Sequence, residues 1–491
     1  MMKNKNAFQC LMVGAYLAFY PLMSQSKIIL PDLVSDNMVL QQQTDARLWG
    51  KATPGNTIYV SSDFSKEPVK VTVSADSTWL LTVQTPNASF APHHLTFMER
   101  NAKGQILDKQ NINNVLVGEV WYAGGQSNME MPLAGFNNCP VEDAEEEIAT
   151  AGDWKNKIRM ATVPKAGSAT PQEWVTGCKW QVPSLSTAPQ MSAVAWFFAK
   201  MMEQVLQVPI GILTVAWGGS TVEGWTPREL LETYPEIDLQ KELAKGWMKT
   251  WWHYHTPMLM YNGLLHPVRH YTIRGFIWYQ GEANCGKKTY VDHMKKMIAV
   301  FRKEFGGTAQ SLPFYLTEVA PYADYGDNDN GPLLRDWQHQ IGREVENSGC
   351  ICINDLAYPF EQHQVHPRQK RQVGYRFAYM VLNKTYGLDI NTDYPEYDHM
   401  EMKGNKLHLF FRNAKQGFSR LNDIKGFEIA GADSVFHPAE AYVEPYGQGV
   451  FVSSKDVSEP RFVQYGYHAF CPGNLQSNRL LPVVPFRVEC K

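Results

Sequence analysis

The chain lacks a Cys-x-x-Cys pair although it carries eight cysteines among its 491 residues. That absence speaks against a paired-thiol zinc site or a thioredoxin-type redox motif. His-Glu-x-x-His is missing too, and neither His253-x-His255 nor His363-x-x-His366 has a Cys ligand nearby, so no metal is expected. Charge is sparse: 19% of residues are charged and the formal net charge is −3. Without a basic stripe there is no electrostatic footprint for nucleic acid. The longest acidic stretch, Glu142 to Glu147 with Ala144 inside it, reads as a solvated helix face. There is no internal repeat and no low-complexity linker, and beyond the N-terminus no apolar run approaches the length of a membrane span.

What the chain does have begins with an export signal. Lys3 and Lys5 precede the apolar stretch Leu11 to Met23, and Ser24, Gln25 and Ser26 offer small residues for cleavage. Residues 1–24 are therefore expected to be a signal peptide, and the mature chain periplasmic or extracellular. Cleavage would leave seven cysteines, an odd number; Cys471 and Cys490 are candidates to bridge in an oxidising compartment. Cys350 and Cys352, one residue apart, point to opposite faces if their segment is a strand.

Residues 25–114 read as a small β-sandwich-like domain, with alternating runs such as Thr57–Val60 and Trp79–Val83 between turn signals. Residues 115–390 change character. Buried-type strands at Val115–Tyr122, Ile210–Ala216, Ile273–Tyr279, Pro313–Val319 and Cys350–Asp355 alternate with helical spacings at Val194–Val205, Tyr290–Phe305, Leu334–Val345 and Gln369–Asn383. Alternation of this kind predicts an α/β fold, a parallel sheet with helices on both faces, whose ligand crevice lies beyond the carboxyl ends of the strands. Residues 391–491 return to β character.

The polar clusters fall at those strand ends. Ser127, in Gly124-Gly125-Gln126-Ser127-Asn128-Met129, sits where a strand turns into a helix, near backbone N–H groups able to stabilise an oxyanion. A helix N-cap is the plainer role for such a serine. Met129 stands where a Gly-x-Ser-x-Gly elbow would have its second glycine. Gly219, in Gly218-Gly219-Ser220, and Asn284, after Trp278-Tyr279-Gln280-Gly281-Glu282-Ala283, are further neutral donors at strand ends, although both are also ordinary turn residues. His366, in Val365-His366-Pro367, carries an imidazole suited to proton transfer; His253, His255, His339 and His363 are its rivals.

Taken together and in order, these blocks resemble those of the SGNH hydrolase superfamily, and their wording is most similar to the sialate O-acetylesterases. Leu33-Val34-Ser35-Asp36-Asn37-Met38 and Gly426-Phe427-Glu428-Ile429-Ala430-Gly431 extend the resemblance into both β-regions. It implies an SGNH-type three-layer α/β/α domain flanked by β-sandwich-like regions. Ser127 would be the nucleophile, and Ser127, Gly219 and Asn284 the oxyanion hole. His366 would act as base and then acid, without cofactor or metal. Gln126, Gln280 and Glu282 lie in the same blocks and are the expected substrate contacts. In one respect the chain departs from the pattern. Many SGNH enzymes have an Asp three residues before the histidine, and here that position is His363. Asp355 and Glu361 are the candidates to replace it; a Ser–His dyad is the alternative. Loss of an orienting carboxylate costs up to ~10⁴ in rate where a triad depends on it.

The implied activity is hydrolysis of acetyl esters on sugars, with 9-O-acetylated sialic acid as first choice. Acetylated xylan or another plant polysaccharide is the second reading, and a non-catalytic carbohydrate-binding protein the third. A sialate carboxylate would need a cation, for which Arg228, Arg274, Arg335 and Arg368 are candidates.

Overall fold

The apolar run beginning at Val115 is the last half of a strand in which every residue from Val115 to Gly125 is buried. In this computed structural model, which describes residues 27–246, 253–326, 328–445 and 449–490, that strand is the axis of the molecule. The expected export signal lies outside the described residues. Six strands form the parallel sheet: β1 (Ile106–Gly125), β2 (Ile158–Thr162), β3 (Ile210–Ala216), β4 (Gly275–Tyr279), β5 (Phe314–Thr317) and β6 (Ser348–Ile351). Their order across the sheet is β2-β3-β1-β4-β5-β6. The chain leaves β1 toward β3 on one side and later returns to the other side at β4. The carboxyl end of β1 is therefore the topological switch point, where α/β sheets open a crevice.

Alternation along β1 divides the core in two. Trp121 and Ala123 face one layer, where they pack with Trp196, Phe197, Phe377 and Val381 of helices α2 (Ala193–Leu206) and α5 (Lys370–Lys384). Val120 and Tyr122 face the other, with Met294, Ile298 and Phe301 of α3 (Tyr290–Glu304) and Leu334 and Ile341 of α4 (Asn330–Glu344). Burial on both faces is why these strands are mostly apolar rather than alternating, with Glu119 and Arg159 as buried exceptions. Each large side chain buried this way contributes ~1.5–3 kcal/mol. Cys350 and Cys352 fall into opposite layers, as strand geometry requires.

The amino-terminal half of β1 belongs to a second assembly. It pairs antiparallel with Ser89–Arg100, which continues through Thr57–Ser62 to Val69–Thr72, while Asp45–Lys51 and Thr78–Gln84 form a separate two-stranded ribbon. One strand thus crosses Asn114–Val115 and joins the β-rich N-terminal region to the parallel sheet without a linker. The C-terminal region is two four-stranded antiparallel sheets, packed through Leu409, Phe411, Ile429, Val452, Val463 and Tyr465.

Two sequence expectations need correction. The acidic stretch does not lie on a solvated face throughout, because Glu147 is buried. It accepts from Trp196 Nε1 (2.7 Å), Lys200 Nζ (2.6 Å) and Arg371 Nη2 (3.1 Å), and so ties its short helix to α2 and α5. The seven described cysteines are all free, so Cys471 and Cys490 do not form a bridge. Cys471 lies in a loop whose carbonyl accepts from Asn354, while Cys490 follows the last strand and is held to Arg461.

At the tip of β1, Gly125 has φ +140°, and a methyl placed there would collide with the Tyr279 carbonyl of β4. Gly125→Ala should therefore destabilise the fold by at least ~2 kcal/mol, measured as a lowered urea midpoint at constant m-value.

Candidate active site

Register decides which loops meet. Gly125 of β1 lies opposite Ala216 of β3 and Tyr279 of β4, so three strands end level with one another. Backbone bonds carry that alignment past the tips: Trp217 N–H donates to Gly125 O (3.0 Å), and Gln126 N–H donates to Tyr279 O (2.9 Å). Ser127, Gly219 and Asn284 follow those tips by two, three and five residues and consequently share one rim.

Ser127 opens the one-turn helix α1 (Ser127–Glu130) and packs against the glycine turn after β3; a methyl on Gly218 would lie 3.1 Å from Ser127 Cβ. The Gly218 amide donates to Glu130 Oε2 (2.7 Å), while Glu130 Oε1 holds Lys165 at 2.6 Å. Gly219 has φ +75°, which glycine adopts without strain, and its N–H makes no hydrogen bond among the described residues. Asn284 is fully buried. Its Oδ1 accepts from Val222 N–H (2.9 Å) and Gln280 Nε2 (2.7 Å), and its Nδ2 donates to Glu223 Oε2 (3.1 Å). A longer bond from the same nitrogen reaches Glu223 Oε1 (3.4 Å), so the amide is turned onto one carboxylate.

The loop carrying His366 reaches this rim through Asn128, the residue after Ser127. Asn128 Nδ2 donates to Val365 O (2.9 Å) and to Glu282 Oε1 (2.6 Å), while its Oδ1 accepts from Lys370 Nζ (2.6 Å). His366 itself is edge-on to Phe136 at 5.2 Å and has its Nδ1 3.8 Å from the Cys139 thiol. Its Nε2 is buried with no hydrogen-bond partner. The imidazole lines a cavity of about 750 Å³ together with Glu130, Phe136, Cys139, Lys165 and Ala216. Burial, reinforced by the charge of Lys370, pushes the His366 pKa down to about 4, so the ring is neutral at pH 7.

Neither candidate for a third member touches His366. Asp355 is clamped by Arg376 through two bonds of 2.6 and 2.7 Å and also accepts from Gln476. Glu361 is buried and spent on the Tyr358 and Arg368 amides and on Arg368 Nε. The nearest polar groups to Nδ1 are Cys139 and, through it, Gln364, whose Oε1 accepts from the thiol (3.3 Å) and from the His366 N–H (3.2 Å). The expected substrate contacts Gln126 and Gln280 are buried and turned inward. Gln126 Oε1 accepts from Gly281 N–H, and Gln280 Nε2 donates to Ser220 O, so both brace the turns. Glu282 is half-buried, with one oxygen on Asn128.

Of the other histidines, His363 is exposed and paired with Asp324. His339 is buried against Glu318 (2.9 Å), which also accepts from Cys352 Sγ (3.0 Å). Glu318, His339 and Cys352 form the one group of potential metal ligands among the described residues, and they satisfy one another as a hydrogen-bonded set. The arginines are mostly engaged elsewhere. Arg274 lies at the opposite, amino-terminal end of β4 near Glu119, Arg335 is buried against the Gly466 and His468 carbonyls, and Arg228 pairs with Glu232 at the surface. Arg368, two residues from His366, is ion-paired with Glu361 and partly exposed.

Comparison with known proteins identifies the family. The carbohydrate esterase family described as sialic acid-specific acetylesterase matches residues 117–383, more than half of the chain. The chain belongs to that family. It is similar to the sialate O-acetylesterase of Homo sapiens, at 26% identity over 81% of this chain and 79% of that one. The Mus musculus sialate O-acetylesterase is 25% identical over 81% of each. A carbohydrate acetylesterase of known structure from Xanthomonas citri is 31% identical, covers 94% of this chain and 99% of its own, and superposes with a TM-score of 0.80. The protein is thus an esterase of the carbohydrate-esterase class, built on a mixed α/β fold with additional β-sheets at its C-terminus.

Sequence reasoning overlooked three members of this esterase's site. Asn128 and Lys370 were hidden because an Asn beside a serine and a Lys on a helix are both surface-like by type. Glu223, which accepts from Asn284 and from His293 Nδ1 (3.2 Å), lay outside every recognised block. Burial alone raises the Glu223 pKa, but the His293 bond and the Lys287 charge outweigh it and bring the value down to about 2, so Asn284 faces a carboxylate. The clamp on Asp355 leads to a prediction. Asp355→Asn should cost ~3–5 kcal/mol of stability by orphaning the buried Arg376, while kcat/KM per folded molecule changes less than about threefold; urea unfolding and active-site-normalised kinetics test this together.

Proposed function

We propose that this enzyme removes acetyl groups from sugars through an acetyl-Ser127 intermediate. The observation that carries the reading is the convergence of the Ser127 turn and the His366 loop on the single side chain of Asn128. His366 Nε2, neutral and unpaired, takes the Ser127 proton as the hydroxyl attacks the acetyl carbonyl. The developing oxyanion is met by the N–H groups of Ser127 and Gly219 and by the Asn284 amide. The same nitrogen returns the proton to the sugar oxygen as it leaves, then activates the water that frees acetate. With no carboxylate on Nδ1, the ring is oriented by packing against Phe136 and by the Cys139–Gln364 pair, an arrangement that makes this a dyad. The charged and then apolar N-terminal stretch supports a periplasmic or extracellular site of action.

Within that class the substrate reading is 9-O-acetylated sialic acid, supported by the family and its mammalian relatives. Arg368 is the cation beside His366 that suits the sialate carboxylate. A neutral acetylated plant polysaccharide such as xylan is the second reading. It is favoured by the pairing of Arg368 with Glu361 and by the distance or engagement of the other three arginines. Ser127→Ala should reduce hydrolysis of a chromogenic acetate ester by at least ~10⁴-fold; a variant retaining a tenth of the activity would remove Ser127 from the chemistry. Initial rates on 9-O-acetylated sialic acid should exceed those on acetylated xylan oligomers at equal acetyl concentration, and a reversed order would move the assignment to the neutral glycan.

A further inference from the structure

Lys370 is 1% exposed, one of the few fully buried cations of the described residues, and no step above uses it. Its ammonium has a single short bond, to Asn128 Oδ1 at 2.6 Å, and stands 5.8 Å from the Tyr279 ring. Glu282, held by the other end of the same amide, keeps its second oxygen buried and unpaired. Carrying an ammonium into such a site is expensive, and a single neutral acceptor does not compensate it. A leucine or methionine would fill the same space without that cost. The side chain must therefore do something that an apolar one does not.

The geometry points to Lys370 as a positioning residue: through Asn128 it locks the turn of Ser127 to the loop of His366. This inference rests on the acetylesterase reading above. The lock is traceable bond by bond. Lys370 fixes which way the Asn128 amide points, because Oδ1 must face the ammonium. Nδ2 is then forced toward Val365 O and Glu282, and Val365 immediately precedes His366. Reversing the amide would place two N–H donors against an ammonium and a carbonyl against a carboxylate.

The charge acts on a ring that meets few others. The titratable groups on the His366 cavity are Cys139 and the mutually paired Glu130 and Lys165, Gln364 holds the backbone N–H of His366, and Lys370 acts from α5 through its charge. Glu282 and Glu361 act on Lys370, raising its pKa against burial, which nevertheless brings it down to about 7. Below pH 7 Lys370 is charged, and that covers the whole range in which His366, at about 4, takes up its proton. Sign follows directly: removing the charge must raise the His366 pKa, and the acid limb of kcat/KM must move to higher pH.

The test compares Lys370→Gln, which keeps a donor to Asn128 but no charge, with Lys370→Arg, which keeps the charge. His366 is titrated in each by NMR of ¹³C-labelled histidine, its resonance assigned through His366→Gln, in a Ser127→Ala background. That readout does not need catalysis, so it survives failure of the nucleophile assignment. Lys370→Gln should raise the His366 midpoint and shift the acid limb of acetate-ester hydrolysis upward with it. kcat should fall roughly tenfold or more, as expected for a misplaced base, and KM should change little. Lys370→Arg should leave the midpoint near the wild-type value. A folded Lys370→Gln protein with unchanged kcat and an unchanged His366 midpoint overturns the proposal. So does a Lys370→Gln chain that fails to fold while Lys370→Arg folds and titrates at the ordinary histidine value.

Discussion

The site hangs on the two-sided amide of Asn128. Its nitrogen reaches β4 through Glu282 and the histidine loop through Val365, and its oxygen reaches α5 through Lys370. An amide carries two N–H donors beside a carbonyl acceptor, and a group of that kind can join two acceptors and one donor arriving from three directions. A carboxylate there would repel Glu282 and Val365 O, while an alkyl chain would leave a buried carboxylate, carbonyl and ammonium without partners. The interaction is local, yet it fixes the distance between two chain segments some 240 residues apart, the sequence separation of the Asn128–Lys370 bond being 242.

A rigid floor makes that single amide sufficient. Because β1, β3 and β4 end in register, the turns after them start from fixed points, and the buried glutamines 126 and 280 convert strand register into turn register. Only the His366 loop arrives from outside this alignment, since it follows the edge strand β6. One bridge is needed there, and Asn128 is that bridge. Preorganisation of this kind puts the catalytic geometry in the fold rather than in the substrate, so binding energy need not be used to assemble it.

Much of the fold was legible because burial on two faces leaves a plain mark. The runs at Val115, Ile210 and Ile273 are apolar on both faces with few polar interruptions, such as Glu119 and Arg274, and an amphipathic helix or half-exposed strand does not read that way. The serine, glycine and asparagine of the rim were legible for a related reason, each standing in the turn after such a run, whereas the histidine was legible only through its Val365-His366-Pro367 wording. What stayed hidden was chemistry whose meaning depends on partners. Glu147 looked solvated because its neighbours are acidic, although its partners Trp196, Lys200 and Arg371 come from two other helices. Asp355 looked like a triad member because it follows a strand, but its bidentate partner Arg376 lies one helix further on. Pairings of that range leave no periodic signal.

The missing carboxylate can be understood in the same terms. An Asp three residues before the histidine would orient the ring and stabilise its protonated form. Here that position is His363, exposed and paired with Asp324, and the ring is instead surrounded by Phe136, a thiol and the field of Lys370. Those neighbours favour the neutral imidazole, the form that must exist before Ser127 can lose its proton. They do less for the imidazolium formed once the proton has moved. The two designs therefore place the electrostatic help on opposite sides of the proton transfer. A triad stabilises the charged base after the event, whereas in the proposed mechanism this site keeps the base free before it and relies on the oxyanion donors, Gly219 and the Asn284 amide backed by Glu223, to carry the charge of the transition state.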